Sequence, residues 1–291
     1  MSLLVVLAAL FGLFWGLRRA LYRSLAPERV PERALPDDLG LDFREVRIAT
    51  ARGRRLFGWW LPAGAPGPAP AVALLHGWGG NAETLLPLAG PLRQAGFAVL
   101  LFAARCHGRS DADSFASLPR FAEDLGHALD WLKRQPEVDP DRLAAVGHSV
   151  GAGAVLLTAA RRADLAAVAS IAAFAHPRAM MRRFLAAKRV PYRPFGWLIL
   201  RYVEQVIGHR FDAIAPVNTI RAIRCPVLLA HGADDRTVPV AEAHAIHAAR
   251  AGDHVVLKIL PGSHDQFADL DQAAAELVAY LRTQVVGRLR P

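Results

Sequence analysis

Two cysteines in 291 residues, Cys106 and Cys225, are too few for a disulfide framework. They suit a reducing compartment, although a single bridge between them is chemically open. No CxxC pair or closely spaced Cys/His set suggests a structural zinc, and no metal site is expected. The chain has no internal repeat and no low-complexity tract. It also has no basic block with interleaved aromatics on a recognisable nucleic-acid-binding module, so no nucleic acid is expected as partner. The net charge of +9 comes mainly from arginine. That reads either as compositional bias or as attraction to anionic lipid or substrate. Hydrophobic residues make up 53% of the chain, enough for one large domain with a substantial core.

Charge is missing altogether from Ser2 to Leu17, a stretch of Leu, Val, Ala and Phe with Trp15 near its end. Sixteen helical residues span roughly 24 Å, short of the roughly 30 Å hydrocarbon core. Ala20, Leu21 and Tyr22 extend the span if Arg18 and Arg19 snorkel. Residues 1–23 are therefore expected to form a single-pass membrane anchor. A cleaved signal lacks its positive n-region here, and a soluble core helix would need a polar face. Arg18, Arg19 and Arg23 lie behind the segment and place the rest of the chain in the cytoplasm, with export as the alternative. Residues 24–40, punctuated by Pro27, Pro31 and Pro36, read as a polar linker.

Beyond the linker, apolar runs alternate with helical segments. Phe43 to Ile48 and Leu56 to Leu61 suggest an antiparallel strand pair turning at Arg52-Gly53. Buried strands are expected at 71–75, 97–102, 143–146, 166–173, 226–230 and 255–260. Helices are expected at 82–95, 121–134, 150–161, 241–251 and 266–285, with a loop at 63–70. Strands separated by helices imply an α/β fold with a mostly parallel central sheet.

One segment carries chemistry. Gly147-His148-Ser149-Val150-Gly151 follows an apolar strand and opens an Ala-rich helix. A G-x-S-x-G at that junction reads as a nucleophile elbow, a strained turn that lifts the Ser hydroxyl clear of the backbone. Four other pieces occur in order around it: His76-Gly77-Trp78-Gly79-Gly80, His107-Gly108-Arg109-Ser110, the run His231 to Pro239, and Gly262-Ser263-His264. With these pieces the chain resembles the α/β-hydrolase superfamily from about residue 41 to 286. Within it, the likeness is to the branch of monoglyceride-lipase-like and serine-aminopeptidase-like proteins.

The resemblance implies an α/β-hydrolase fold with an inserted helical cap, and a Ser-His-Asp triad. Serine is a weak nucleophile at neutral pH and needs a base. His264, in a loop after the last strand, stands where the family places that base for Ser149. Asp234 and Asp235 both follow the strand ending at Ala230. The family's Asp followed three residues later by Val and then Pro selects Asp235, with Asp234 as the neighbour that a shifted loop would select. The strand before it is followed by Phe174-Ala175-His176-Pro177, so the acid's other common location holds no carboxylate. By resemblance the oxyanion hole takes backbone N–H groups from Trp78 and Val150. His148 is expected to pack under the turn, and His76 and His231 to satisfy local hydrogen bonds. His244 and His247, three apart on a helix, lack an evident third metal ligand. Cys106 is read as a bystander.

Residues 177–224 form the expected cap. They include Met180, Met181, Phe184, Phe195, Trp197 and Tyr202 among many arginines. An apolar cap with a basic surface suits acyl or lipid-like substrates. The combined expectation is a membrane-anchored serine hydrolase cleaving carboxylic esters through an acyl-enzyme, with no metal, flavin or nucleotide cofactor. The same triad serves a peptidase, an amidase or an acyltransferase, and a binding protein without turnover is the non-enzymatic alternative.

Overall fold

The computed structural model describes residues 3–287. In the first helix the described side chains before Arg18 are Val5, Leu7, Phe11 and Trp15. That helix, α1 (Leu3–Ser24), is helical as expected, but among the described residues no helix is long and apolar enough to cross a membrane. The expectation of a spanning anchor in residues 1–23 gains no support from it, and Met1, Ser2 and the remaining apolar side chains lie outside the described residues. At its far end α1 joins the domain. Leu25 is buried and its carbonyl accepts from the Ala116 amide at 2.8 Å. The segment expected as a linker is held down as well, since Arg29 donates to the carbonyls of Gly108 at 3.1 Å and Ser110 at 2.5 Å.

Strands β1 (Arg44–Thr50) and β2 (Arg54–Leu61) form the expected antiparallel pair, turning where Arg52 and Gly53 take φ of 61° and 67°. Then come β3 (Ala69–Leu75), α2 (Ala89–Gln94), β4 (Ala98–Phe102), α3 (Leu118–Leu132), β5 (Val138–His148), α4 (Val150–Arg161) and β6 (Ala167–Ile171). Four helices fill the expected cap: α5 (Pro177–Ala187), α6 (Trp197–Ile207), α7 (Phe211–Ile214) and α8 (Pro216–Thr219). The chain returns to the sheet through β7 (Val227–Gly232), α9 (Ala241–Ala248), β8 (Val255–Leu260) and α10 (Leu270–Leu281).

The eight strands run in the order β1-β2-β4-β3-β5-β6-β7-β8, and every pairing from β4 to β8 is parallel. Both faces are covered, which explains the unbroken apolar runs. In β3, Ala71, Ala73 and Leu75 enter one core with α3 and α4, while Val72 and Leu74 enter the other with α2 and α10. Fully burying one such Val or Leu side chain contributes roughly 1.5–3 kcal/mol. A buried ionic network fixes the loop after β4. Arg105 pairs with Asp124 at 2.7 Å and Asp113 at 3.3 Å, and Thr50 donates to Asp124 at 2.7 Å.

Two expected helices differ from the pattern. The one at 82–95 opens as a 3-10 stretch, Ala82–Leu88, that contains Pro87. The last one starts only at Leu270, where the Asp269 carboxylate accepts from the Gln272 amide at 2.8 Å. Residues before it form a tight loop, closed by Ser263 N–H to the Gln266 carbonyl at 2.7 Å, and His264 sits in that loop.

Candidate active site

The ends of β3, β5, β7 and β8 converge at one edge of the sheet, the edge where open parallel sheets present their ligands. Ser149 stands between β5 and α4 with φ 54° and ψ −114°, a strained backbone for a residue with a side chain. Its amide donates to the Ile171 carbonyl at 2.8 Å, which anchors the turn to β6. Glycine is required on both sides. A Cβ on Gly147 would overlap the Gly151 backbone, and one on Gly151 would overlap the carbonyls of Leu75 and His76.

Three of the sequence-selected residues meet here. His264 Nε2 lies 3.1 Å from Ser149 Oγ, and His264 Nδ1 lies 2.7 Å from Asp235 Oδ2. Asp235 is buried. Its Oδ1 accepts from the amides of Thr237 at 2.9 Å and Val238 at 2.7 Å, so the carboxylate is held from behind and presents Oδ2 to the imidazole. Asp234 is exposed, and its amide donates to the Gly262 carbonyl at 2.8 Å. The geometry therefore brings Asp235, not Asp234, to His264.

Trp78 follows Gly77, which lies hard against the elbow. A Cβ on Gly77 would sit 3.0 Å from Ser149 Cβ. That contact brings the Trp78 backbone beside Ser149 and leaves the indole 42% exposed at the mouth. Val150 is the first residue of α4, and the first amides of a helix have no intrahelical acceptor. His76 is held by two local hydrogen bonds, Nδ1–H to the Gly77 carbonyl at 2.6 Å and Nε2 accepting from the Ala104 amide at 3.0 Å. His231 donates from Nε2 to the Val238 carbonyl at 2.7 Å. Both match their expected structural roles.

His148 does more than pack. Its Nε2–H donates to the backbone carbonyl of His264 at 2.9 Å, joining the elbow to the loop that carries the imidazole. Burial pushes its pKa down and keeps the ring neutral. No sequence signal could reveal this bond, because its acceptor is a main-chain oxygen 116 residues away. Cys106 is buried, takes φ of 66°, and has its thiol pKa raised by burial, so it is a poor nucleophile.

Among the described residues, one group has metal-ligand spacing: His148, His264 and Asp265, with ligand atoms within 4.8 Å of one another. Its two imidazole Nε2 atoms already face the His264 carbonyl and Ser149. His244 and His247 gather no third ligand among the described residues.

A cavity of about 570 Å³ opens above Ser149, within the range of small-molecule sites. Met180, Met181 and Phe184 from α5 and Phe211 from α7 line it, and Ser24 and Leu25 at the end of α1 close one side. A second cavity of about 380 Å³, between β8 and α10, reaches His264 from behind.

A family model described as serine aminopeptidase, S33, matches residues 66–207. An uncharacterized protein of Mycobacterium tuberculosis is 28% identical over 249 residues, covering 85% of this chain and 80% of that one. Among solved structures, the esterase Pf2001 of Pyrococcus furiosus superposes with a TM-score of 0.72 at 22% identity, covering 89% of this chain and 99% of that one. The esterase domain of a Rhodothermus marinus protein superposes with a TM-score of 0.61 at 25% identity, covering 84% of this chain and all of that one (100%).

Proposed function

By fold and by family the chain is a member of the α/β-hydrolase superfamily, and from that premise we propose that it is a serine hydrolase cleaving carboxylic esters of acyl or lipid-like compounds. The observation that carries this reading is the unbroken chain Ser149 Oγ, His264 Nε2, His264 Nδ1, Asp235 Oδ2, with links of 3.1 and 2.7 Å, under an apolar cavity. In the first half-reaction His264 takes the Ser149 proton as Oγ bonds to the ester carbonyl carbon. The carbonyl oxygen becomes an oxyanion, for which the amides of Trp78 and Val150 are the donors. Collapse breaks the bond to the alcohol oxygen, which leaves with the proton held by His264. Water then attacks the acyl-enzyme, gives its proton to His264, and releases acid and free Ser149. Asp235 keeps Nδ1 protonated and stabilises the imidazolium. The cavity's apolar lining of methionine and phenylalanine suits an acyl chain.

The test is turnover of a panel of p-nitrophenyl esters and aminoacyl anilides, with fluorophosphonate labelling, on the chain and on Ser149→Ala. Ester turnover and labelling lost together in Ser149→Ala, by roughly 10⁴-fold or more, is the expected result. Full labelling of Ser149→Ala removes the nucleophile assignment. Turnover of anilides alone reassigns the chain as an amidase or peptidase.

For location, we propose that α1 holds the domain at a bilayer with the hydrolase on the cytoplasmic side. Val5, Leu7, Phe11 and Trp15 are each at least half exposed, and Arg18, Arg19 and Arg23 come after them. Cytoplasm-active and export-active reporters fused at the C-terminus test the side. A signal from the export-active fusion alone reverses it.

A further inference from the structure

The positive charge of this protein is not spread over its surface. The cap, residues 177–224, holds ten Lys and Arg against two acids, Glu204 and Asp212, a net +8 out of the chain's +9. Both acids are already engaged. Buried Glu204 accepts from the Phe211 amide at 2.9 Å and pairs with Arg201 at 3.1 Å and Arg210 at 3.5 Å, while Asp212 meets His176 at 2.8 Å and Arg178 at 3.3 Å. Arg183 reaches outside the cap to Glu242. Of the six cations that remain, Arg221 and Arg224 lie at the end of the cap, and four fall on the tract 182–198 that runs from α5 into the start of α6. Arg182, Lys188, Arg189 and Arg193 are exposed there, and no carboxylate pairs with them among the described residues.

The same tract exposes large apolar side chains. Phe184, Phe195, Trp197 and Leu198 are 48%, 59%, 49% and 53% accessible. Clustered exposed aromatics mark a docking surface. Their interleaving with cations that no carboxylate meets among the described residues narrows the partner. An apolar patch alone would suit many proteins, and a basic patch alone would suit any polyanion. Aromatics that enter a headgroup layer beside cations that meet its phosphates fit an anionic bilayer. Phe184 belongs to both this surface and the lining of the Ser149 cavity.

We propose that the cap tract 182–198 docks on an anionic lipid bilayer and sets the mouth of the Ser149 cavity against the acyl layer. The surface is a second membrane contact, separate from α1. It deepens the ester reading by making bilayer-resident esters the accessible substrates, and it rests on that reading only for this consequence.

The experiment uses the full chain with Phe195→Cys carrying an NBD fluorophore. Cys225→Ser removes the partly exposed native thiol, and Cys106 is buried. Emission is read with phosphatidylcholine vesicles, with and without phosphatidylglycerol, and with an RNA duplex. The expected result is a blue shift with the phosphatidylglycerol vesicles alone, reversed by salt. Combined Arg189→Glu and Arg193→Glu should weaken vesicle affinity by roughly 10-fold or more. Turnover of a short water-soluble ester, read on the same samples, should not change. An unshifted probe on vesicles that sediment the chain means that α1 alone attaches it, and overturns the proposal. So does an equal shift on neutral vesicles, or a shift with RNA and none with lipid. Absence of ester turnover with the lipid-dependent shift intact would count against the ester reading and leave the docking surface standing.

Discussion

Mild acid should remove the stability that one buried neutral histidine, His107, contributes, while the buried Asp124 carboxyl, raised by burial to about 6, works in the opposite direction. The His107 ring is fully buried, with Nδ1–H donated to the Arg105 carbonyl at 2.9 Å. It packs against His76 at 4.8 Å, Phe121 at 5.0 Å and Trp78 at 6.0 Å between ring centres. Burial lowers its pKa to about 4, whereas an unfolded histidine titrates near 6.5. Between those values the unfolded state binds the proton that the folded state refuses. The stabilisation is thus complete above about pH 6.5 and drains away as pH falls toward about 4. At 1.36 kcal/mol per pKa unit, the loss is about 2 kcal/mol near pH 5 and about 3 kcal/mol when complete. Against a typical total of roughly 5–15 kcal/mol that is a large share. His76 and His148 are also pushed down by burial and act in the same direction. The assay is urea unfolding at a series of pH values on the wild type and His107→Phe. The variant gives up the bond to Arg105, a pH-independent cost of about 1 kcal/mol, so the slope against pH is the quantity to compare. The variant's curve should be flatter by about 2 kcal/mol between about pH 7 and pH 5. Parallel curves would refute the reasoning.

Asp235→Asn should reduce ester turnover by roughly 10⁴-fold, while Asp234→Asn should stay within about 3-fold because Asp234 is exposed and its carboxylate does not reach His264. The opposite order in the two rate constants would transfer the orienting role to Asp234. His148→Ala should lower kcat roughly 10-fold with little change in KM, since one hydrogen bond to the His264 loop is lost. Partial recovery in His148→Gln, which restores an N–H donor, separates positioning from packing, and an unchanged kcat in His148→Ala would dismiss the bond's importance.

Elements with local causes could be read from the chain. The elbow declares itself because Gly147 and Gly151 meet backbone at contact distance, and no other residue fits there. The strands of the parallel sheet were legible for a similar reason, since burial on both faces leaves only apolar side chains. Asp235 was chosen over Asp234 by family likeness, and the physical discriminator is the pair of amides, Thr237 and Val238, that hold its inner oxygen. Those donors are main-chain groups and leave no trace in residue type. The same blindness hid the bond from His148 to the His264 carbonyl. The late start of α10 was missed because Gln266 to Asp269 have ordinary helical composition, while the turn around Gly262 at φ 144° bends the backbone away. The attachment of residues 24–40 was missed because Arg29 bonds carbonyls on a loop about 80 residues away.

The junction of α1 with the domain matters for anyone shortening this protein. Ser24 and Leu25 form part of the cavity wall, Leu21 packs against the main core, and the Tyr22 ring meets Phe115 edge-on at 5.7 Å. The seam between a removable helix and the domain thus falls before Leu21, upstream of the prolines that look like a natural place to cut. A preparation trimmed at Ala20 keeps the wall intact. One trimmed at Ala26 starts with a breach beside Ser149, and its substrate preferences would describe a wider mouth than the whole protein has.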